Sequence, residues 1–140
     1  MDRVRIDVRA RWWIGAGVAA LALALAACGS KNPGPSAGSG TCTPSGTSLT
    51  EIAQDLAFGG NLCAPANQAF TIAFDNRDAG IQHNIEIFKD QAMTQSVFKG
   101  DIVTGPVSVD YSVPSLAAGT YHFRCDIHPT QMQGVLIVAG

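Results

Sequence analysis

The residues whose side chains are best suited to bind a metal lie within eight positions near the carboxyl end of the chain. Cys125, His128 and Met132 follow the spacing Cys-x-x-His-x-x-x-Met. They offer a thiolate, an imidazole and a thioether, a mixture of ligands that suits copper in both of its oxidation states. An electron-transfer copper site also needs a second histidine, because it combines two histidines and one cysteine in a plane with a weak axial ligand.

Two other histidines are available as that second imidazole, His83 and His122. Residues 121–125 alternate as a strand does, so the side chain of His122 faces away from that of Cys125. His83 stands at the head of another alternating run, 84–88, where a chain leaving a loop would place it beside the later loop. We therefore predict that His83 supplies the second imidazole.

A wider pattern surrounds these residues. The pair His83-Asn84 precedes a predicted strand, and residues 121–134 have the pattern Tyr-x-Phe-x-Cys-x-x-His-Pro-x-x-Met-x-Gly. This combination resembles the cupredoxins, the plastocyanin-like blue copper proteins, over roughly residues 48–138. The resemblance implies an all-β fold, a cupredoxin-like antiparallel Greek-key β-sandwich, that holds one type 1 copper ion.

The resemblance also implies a role for each ligand. Three residues would be equatorial ligands, namely His83, Cys125 and His128. Met132 would be the axial ligand, with the amide oxygen of Gln131 or Gln133 as the alternative, because glutamine also serves in that position. Asn84 resembles the asparagine that ties the two ligand loops together and hydrogen-bonds near the thiolate, where it would orient the site from outside the ligand set.

The elements that must position these residues are short strands. Alternating or apolar runs separated by glycine, proline or asparagine predict strands at 49–58, 69–75, 85–88, 102–103, 107–113, 120–125 and 133–138. Residues 76–80 form a turn signal, and residues 91–98 are predicted to hold a helical turn. Strands at this spacing favour an antiparallel sandwich.

The beginning of the chain has the composition of an export signal. Four arginines precede residue 13, and an apolar or glycine run from 14 to 27 ends in Leu-Ala-Ala-Cys. The run is shorter than the roughly twenty residues of a membrane-spanning helix. We therefore expect a lipoprotein signal peptide at 1–27, a lipidated Cys28 followed by a flexible linker over 28–41, and a copper-binding domain at 42–140. A plain secretion signal is the alternative.

If the protein is exported, each of the four cysteines has a predicted role. Cys28 would carry lipid and Cys125 would bind metal, so Cys42 and Cys63 are left as a pair. An oxidising compartment permits a disulfide between them, which we predict. The domain would then lie outside the cytoplasm, anchored by lipid to the cell membrane.

The charge balance restricts the partners. After Cys28 the chain has five lysine and arginine residues against nine aspartate and glutamate residues, a net charge of −4. This argues against a nucleic-acid partner, which would require a basic patch. The resemblance to cupredoxins implies a one-electron carrier, which we expect to be a monomer, that docks redox partner proteins through an exposed surface near His128, where Ile81, Ile127 and Pro129 would contribute apolar contacts.

The alternatives are two other functions, and zinc in place of copper as the bound metal. Copper capture or delivery outside the cytoplasm would use the same ligands without electron transfer. Copper enzymes need a further site with several more histidines, and His122 is the one histidine left over, so we do not expect an enzyme. Zinc binds cysteine and histidine as well, but its structural sites usually present more thiolates or a Cys-x-x-Cys pair.

Overall fold

The computed structural model describes residues 41–140, which form eleven strands and, within that range, no helix. The predicted signal peptide, Cys28 and the linker up to residue 40 lie outside the described residues. No helix long and apolar enough to cross a membrane is found in residues 41–140. The strands are β1 Ser48–Gln54, β2 Ala57–Phe58, β3 Leu62–Pro65, β4 Phe70–Asn76, β5 Gln82–His83, β6 Glu86–Phe88, β7 Ser96–Lys99, β8 Val103–Thr104, β9 Val107–Val113, β10 Gly119–Arg124 and β11 Gln133–Ala139.

The strands form two main sheets and a short ribbon. The first sheet has the order β2-β1-β4-β9 and the second the order β3-β11-β10-β6-β7, while β5 pairs with β8. Most pairs are antiparallel, but β1 lies parallel to β4 and β3 lies parallel to β11. The predicted all-β sandwich is confirmed, with mixed rather than purely antiparallel sheets. Side-chain alternation is the same in both kinds of pair, so the sequence pattern does not reveal strand direction.

The two sheets share one hydrophobic core. Alternate side chains of β4 are buried, namely Phe70, Ile72 and Phe74. They belong to the same cluster as Phe123 of β10 and Leu136 of β11, which are fully buried. Because burial of apolar surface is the main favourable term in folding, this cluster holds the sheets face to face. It also fixes β10, the strand that leads directly into Cys125.

The strand predicted at 49–58 is a hairpin in the structure. Asp55 and Leu56 have positive φ angles of 55° and 58°, a conformation that is uncommon for residues other than glycine. β1 therefore ends at Gln54, and β2 pairs back on it. The turn is held from outside, because the carboxylate of Asp78 accepts hydrogen bonds from the backbone N–H groups of Asp55 (2.7 Å) and Leu56 (3.0 Å).

The helical turn predicted at 91–98 is wrong. The side chain of Asp90 accepts hydrogen bonds from the backbone N–H groups of Thr94 and Gln95, which reverses the chain. β7 then pairs with β6 at the edge of the second sheet. No residue of this edge strand is fully buried, so it lacks the apolar alternation that would have predicted it.

The predicted disulfide between Cys42 and Cys63 is present. It links the segment before β1 to β3 across a sequence separation of 21 residues. A closed loop of this size stabilises the fold by about 3 kcal/mol in the chain-entropy model, because it restricts the unfolded chain. Among the described residues, Cys125 is the one free cysteine.

Glu51 of β1 is a buried acid whose charge state should affect stability. Its side chain accepts a hydrogen bond of 2.6 Å from the backbone N–H of Gly59, and the residue is 1% exposed. Burial raises the pKa of Glu51 from 4.5 to about 7, which outweighs the opposite effect of its backbone hydrogen bonds. Between those two pH values the folded state keeps a proton that the unfolded chain has lost, so stability should fall as the pH rises through this window.

We expect Glu51→Gln to remove this pH dependence. The amide keeps an oxygen acceptor for Gly59 without the buried charge, so the variant should be more stable than the wild type by about 3 kcal/mol at pH 8 and equally stable at pH 4. Urea unfolding followed by circular dichroism measures both values. Asp110→Asn, on the exposed surface of β9, is the charge-matched control. Parallel pH profiles for Glu51→Gln and the wild type would contradict the prediction.

Candidate metal centre

His83 lies on the short two-stranded ribbon of β5 and β8, and hydrogen bonds hold the loop that precedes it. It is the last residue of β5, pairs with Val103 of β8 and is fully buried. The side chain of Asn76, at the end of β4, donates hydrogen bonds of 3.0 Å to the backbone carbonyl groups of Ile81 and Val103. These bonds hold the loop that delivers His83 to the site.

The other predicted ligands lie on the loop between β10 and β11. Cys125 directly follows β10 and is buried, while His122 lies on the opposite face and is partly exposed, as the alternation predicts. The loop closes on itself through two backbone hydrogen bonds of 3.0 Å. Cys125 donates to the carbonyl of Met132, and Met132 donates to the carbonyl of His128. This compact turn brings the His128 side chain back over Cys125.

Three donor atoms from these two segments converge. The Sγ of Cys125 lies 3.7 Å from the Nδ1 of His83 and 3.9 Å from the Nδ1 of His128. The two Nδ1 atoms are 3.2 Å apart. His83 is buried, Cys125 is buried and His128 is partly exposed, and they form a cluster with the composition of a metal site. The structure therefore brings together all three predicted equatorial residues.

The chemistry of the three donors indicates which ion they would hold. One thiolate and two imidazoles are the donor set typical of electron-transfer copper, whereas structural zinc sites usually have two to four thiolates. The donor set fits copper.

The axial position has one buried candidate. Met132 is fully buried, whereas Gln131 and Gln133 are exposed. The Nε2 of Gln133 donates a hydrogen bond of 2.6 Å to the backbone carbonyl of Pro129, so the side-chain amide of Gln133 is held at the surface. Met132 is thus the side chain that the loop turns inward, and its role as a ligand stays a prediction.

Asp78 approaches His83 from the side opposite the cluster. Its Oδ2 lies 2.9 Å from the Nε2 of His83, and both side chains are almost fully shielded from solvent. Burial raises the pKa of Asp78, but hydrogen bonds from Leu56, His83 and Asp55 outweigh burial and hold the pKa below its usual value. The sequence analysis missed this contact. The composition of residues 76–80 predicts a turn, but it does not show which side chain of that turn points inward.

Asn84 links the two segments that carry the cluster. Its Nδ2 donates hydrogen bonds to the Oδ2 of Asp126 (2.9 Å) and to the carbonyl of Gly100 (3.1 Å), and its Oδ1 accepts one from the backbone N–H of Asp126 (2.9 Å). Asp126 is the neighbour of Cys125, so this reciprocal pair fastens the His83 segment to the start of the ligand loop. The predicted influence of Asn84 on the metal stays a prediction.

Three charged residues beside this link lie close to one another. The Nζ of Lys99 lies 2.8 Å from the Oδ2 of Asp126 and 3.8 Å from the Oε2 of Glu86. Burial raises the pKa of Asp126, but hydrogen bonds from Glu86, Lys99 and Asn84 more than offset it and keep the pKa low. Burial and the neighbouring Asp126 raise the pKa of Glu86. Asp126, the neighbour of Cys125, is therefore the stronger acid of the two.

The surface near His128 is partly apolar. Ile81 is 37% exposed and Ile127 is 42% exposed, and Pro129 is also exposed. Ile127 and Pro129 flank His128 on the same loop, and Ile81 lies two residues before His83. Exposed isoleucines close to both histidines give this end of the sandwich an apolar character.

Comparison with known proteins gave a family and a set of similar structures. The family model described as a cupredoxin-like domain matches residues 18–138. A search of the curated proteins found no match. The family match therefore extends over most of the chain, including all the residues of the cluster.

Several solved structures have a similar fold. A dithionite-reduced auracyanin from the photosynthetic bacterium Roseiflexus castenholzii is 23% identical, with a TM-score of 0.60 and coverage of 69% of this chain and 100% of that one. Auracyanin A, a blue copper protein from Chloroflexus aurantiacus, is 25% identical, with a TM-score of 0.58 and coverage of 65% and 97%. Reduced rusticyanin is 22% identical, with a TM-score of 0.53 and coverage of 68% and 81%.

Proposed function

The chain belongs to the cupredoxin-like family, and we propose that it is a one-electron carrier whose copper is bound by His83, Cys125, His128 and Met132. The observation that supports this assignment most is the convergence of two imidazole nitrogens and one thiol sulfur within 3.9 Å of one another. Auracyanin A, the 25% identical neighbour, is a blue copper protein. When bound, copper supplies a couple between Cu(II) and Cu(I) that moves one electron at a time.

The residues around the cluster favour rapid transfer because they resist movement. The Asn84–Asp126 pair fixes one ligand segment to the other, and backbone hydrogen bonds close the loop between Cys125 and Met132. Ligands held in one arrangement for both oxidation states need little rearrangement when the charge changes. Mixed sulfur and nitrogen ligands suit such a compromise.

The partly exposed His128 is the proposed exit and entry point for electrons. Ile127 and Pro129 flank it, and Ile81 adds a third exposed apolar side chain at this end. A small apolar surface of this kind supports the brief, weak docking of redox proteins, which typically bury less area than stable complexes. We propose that donor and acceptor proteins use this surface in turn, with the carrier acting as a monomer.

The experiment that tests the function is copper loading followed by redox cycling. We expect the purified protein with one equivalent of Cu(II) to develop an intense visible absorption band and a narrow copper hyperfine splitting in its electron paramagnetic resonance spectrum. One-electron reduction should bleach the band and reoxidation should restore it over many cycles. A colourless protein, or one that binds Zn(II) in preference, would overturn the proposal.

The same sample distinguishes a carrier from a delivery protein. A carrier should retain its copper after reduction when a strong Cu(I) chelator competes for the metal, because three of its four proposed ligands are fully buried. A delivery protein should give up Cu(I) to the chelator within the same period. Rapid loss of copper on reduction would favour delivery.

We also propose that the carrier works outside the cytoplasm on a lipid anchor at Cys28. The support is the sequence Leu-Ala-Ala-Cys after an arginine-rich and apolar leader. We expect Cys28→Ala to shift the protein from the membrane fraction to the soluble extracytoplasmic fraction without altering the copper spectrum. A variant that stays in the membrane fraction would contradict lipidation.

A further inference from the structure

A largely shielded carboxylate outside the proposed ligand set contacts a proposed ligand histidine directly. The Oδ2 of Asp78 lies 2.9 Å from the Nε2 of His83. The side chain of His83 is 0% exposed and that of Asp78 is 9% exposed. Asp78 lies in the loop between β4 and β5.

Asp78 is held by more than the histidine. Its two carboxylate oxygens accept hydrogen bonds from the backbone N–H groups of Asp55 and Leu56, at the left-handed turn between β1 and β2. The backbone N–H of Asp78 in turn donates to the Oδ1 of Asn76 at 3.1 Å. Two hydrogen bonds therefore hold the carboxylate and a third holds its backbone, so Asp78 presents a preformed acceptor to His83.

This arrangement determines which nitrogen of His83 carries the proton. A carboxylate that receives two backbone N–H groups acts as an acceptor, so the Nε2 of His83 must donate to it. In a neutral imidazole the other nitrogen then has a free lone pair. That nitrogen, Nδ1, is the atom that faces Cys125 and His128.

We propose that Asp78 is a positioning residue that fixes the metal-binding tautomer of His83 and lowers the reduction potential of the bound copper. The inference rests on the proposed copper function and adds a determinant of its potential. A carboxylate hydrogen-bonded to a ligand histidine makes the imidazole a stronger donor. Its negative charge also favours Cu(II), the more highly charged state, over Cu(I). The β1–β2 hairpin thus becomes part of the site, because it holds Asp78 in place.

The test compares Asp78→Asn with Asp110→Asn, which removes the same charge from the exposed surface of β9. Substitution of a residue hydrogen-bonded behind a metal ligand typically lowers metal affinity by about tenfold or more, and Asp78→Asn removes the negative charge while one side-chain oxygen can still accept. We expect Asp78→Asn to weaken Cu(II) binding by about tenfold relative to Cu(I), which raises the reduction potential by about 59 mV. Asp110→Asn should leave the potential within a small fraction of that shift. Spectroelectrochemical titration measures both.

A second measurement tests the tautomer directly in the wild-type protein. The nitrogen chemical shifts of His83 in the metal-free protein, and in the diamagnetic Cu(I) form, report which ring nitrogen carries the proton. We expect a protonated Nε2 whose proton exchanges slowly with solvent, and faster exchange in Asp78→Ala, which has no side-chain acceptor. A protonated Nδ1 in the wild type would overturn the inference even if the variant failed to fold.

The outcomes separate this inference from the proposed function. A blue wild type whose potential shifts equally little in Asp78→Asn and Asp110→Asn would overturn the role of Asp78 and leave the carrier function intact. A wild type that binds no copper would overturn both.

Discussion

Cys125→Ser is expected to abolish the visible absorption band of the copper-loaded protein. The band requires charge transfer from a thiolate, and Cys125 is the one free cysteine among residues 41–140. Its sulfur lies within 3.9 Å of both imidazole nitrogens, so a serine hydroxyl in its place would be a weak, protonated ligand at the same position. The two histidines should still hold Cu(II), at lower affinity and with the wide hyperfine splitting of ordinary copper sites.

Met132→Leu is the matched control, because leucine keeps a similar buried volume without a sulfur atom. In this variant the band should persist with altered position or intensity, since an axial ligand adjusts the site and the thiolate creates the band. Circular dichroism of each variant without metal should match the wild type. A strong blue band in Cys125→Ser, or its complete loss in Met132→Leu, would show that the proposed roles of sulfur are wrong.

The ligand motif could be predicted from sequence because its constraints are local. Strand alternation places Cys125 and His122 on opposite faces of β10, and the structure has Cys125 buried and His122 partly exposed. The same argument selected His83, whose Nδ1 lies 3.7 Å from the cysteine sulfur. The disulfide followed from counting cysteines, since export leaves Cys42 and Cys63 as the remaining pair.

The parts that could not be predicted depend on distant contacts. The turn at Asp55 and Leu56 interrupts an apolar run that otherwise reads as one strand, and it is stabilised by Asp78, more than twenty residues away. Alternation cannot show such a contact, because it describes only the two faces of a single strand. The parallel pairing of β1 with β4 escaped prediction for the same reason. The contact between Asp78 and His83 therefore becomes visible only in the folded structure.

Gly134→Ala is expected to lower the free energy of unfolding by about 3 kcal/mol. Gly134 of β11 pairs with Phe123 of β10, and the aromatic ring lies directly over the glycine. A Cβ at this position would overlap the ring tip and lie 2.7 Å from the two neighbouring ring carbons. Phe123 is fully buried and packs against Phe58 with ring centroids 5.1 Å apart, so the ring cannot move without disturbing the core.

The control is Gly119→Ala in the same pair of strands. A Cβ there would meet only Tyr121, at the ordinary contact distance of 3.8 Å, so its stability should stay within about 0.5 kcal/mol of the wild type. Urea unfolding of the metal-free variants compares the two directly. Because Phe123 lies two residues before Cys125, a displaced ring in Gly134→Ala should also shift the blue absorption band, which Gly119→Ala should not. Equal stability of the two variants would mean that the sheet yields to the added methyl group, and that close packing of Phe123 on glycine does not hold the cysteine strand in place.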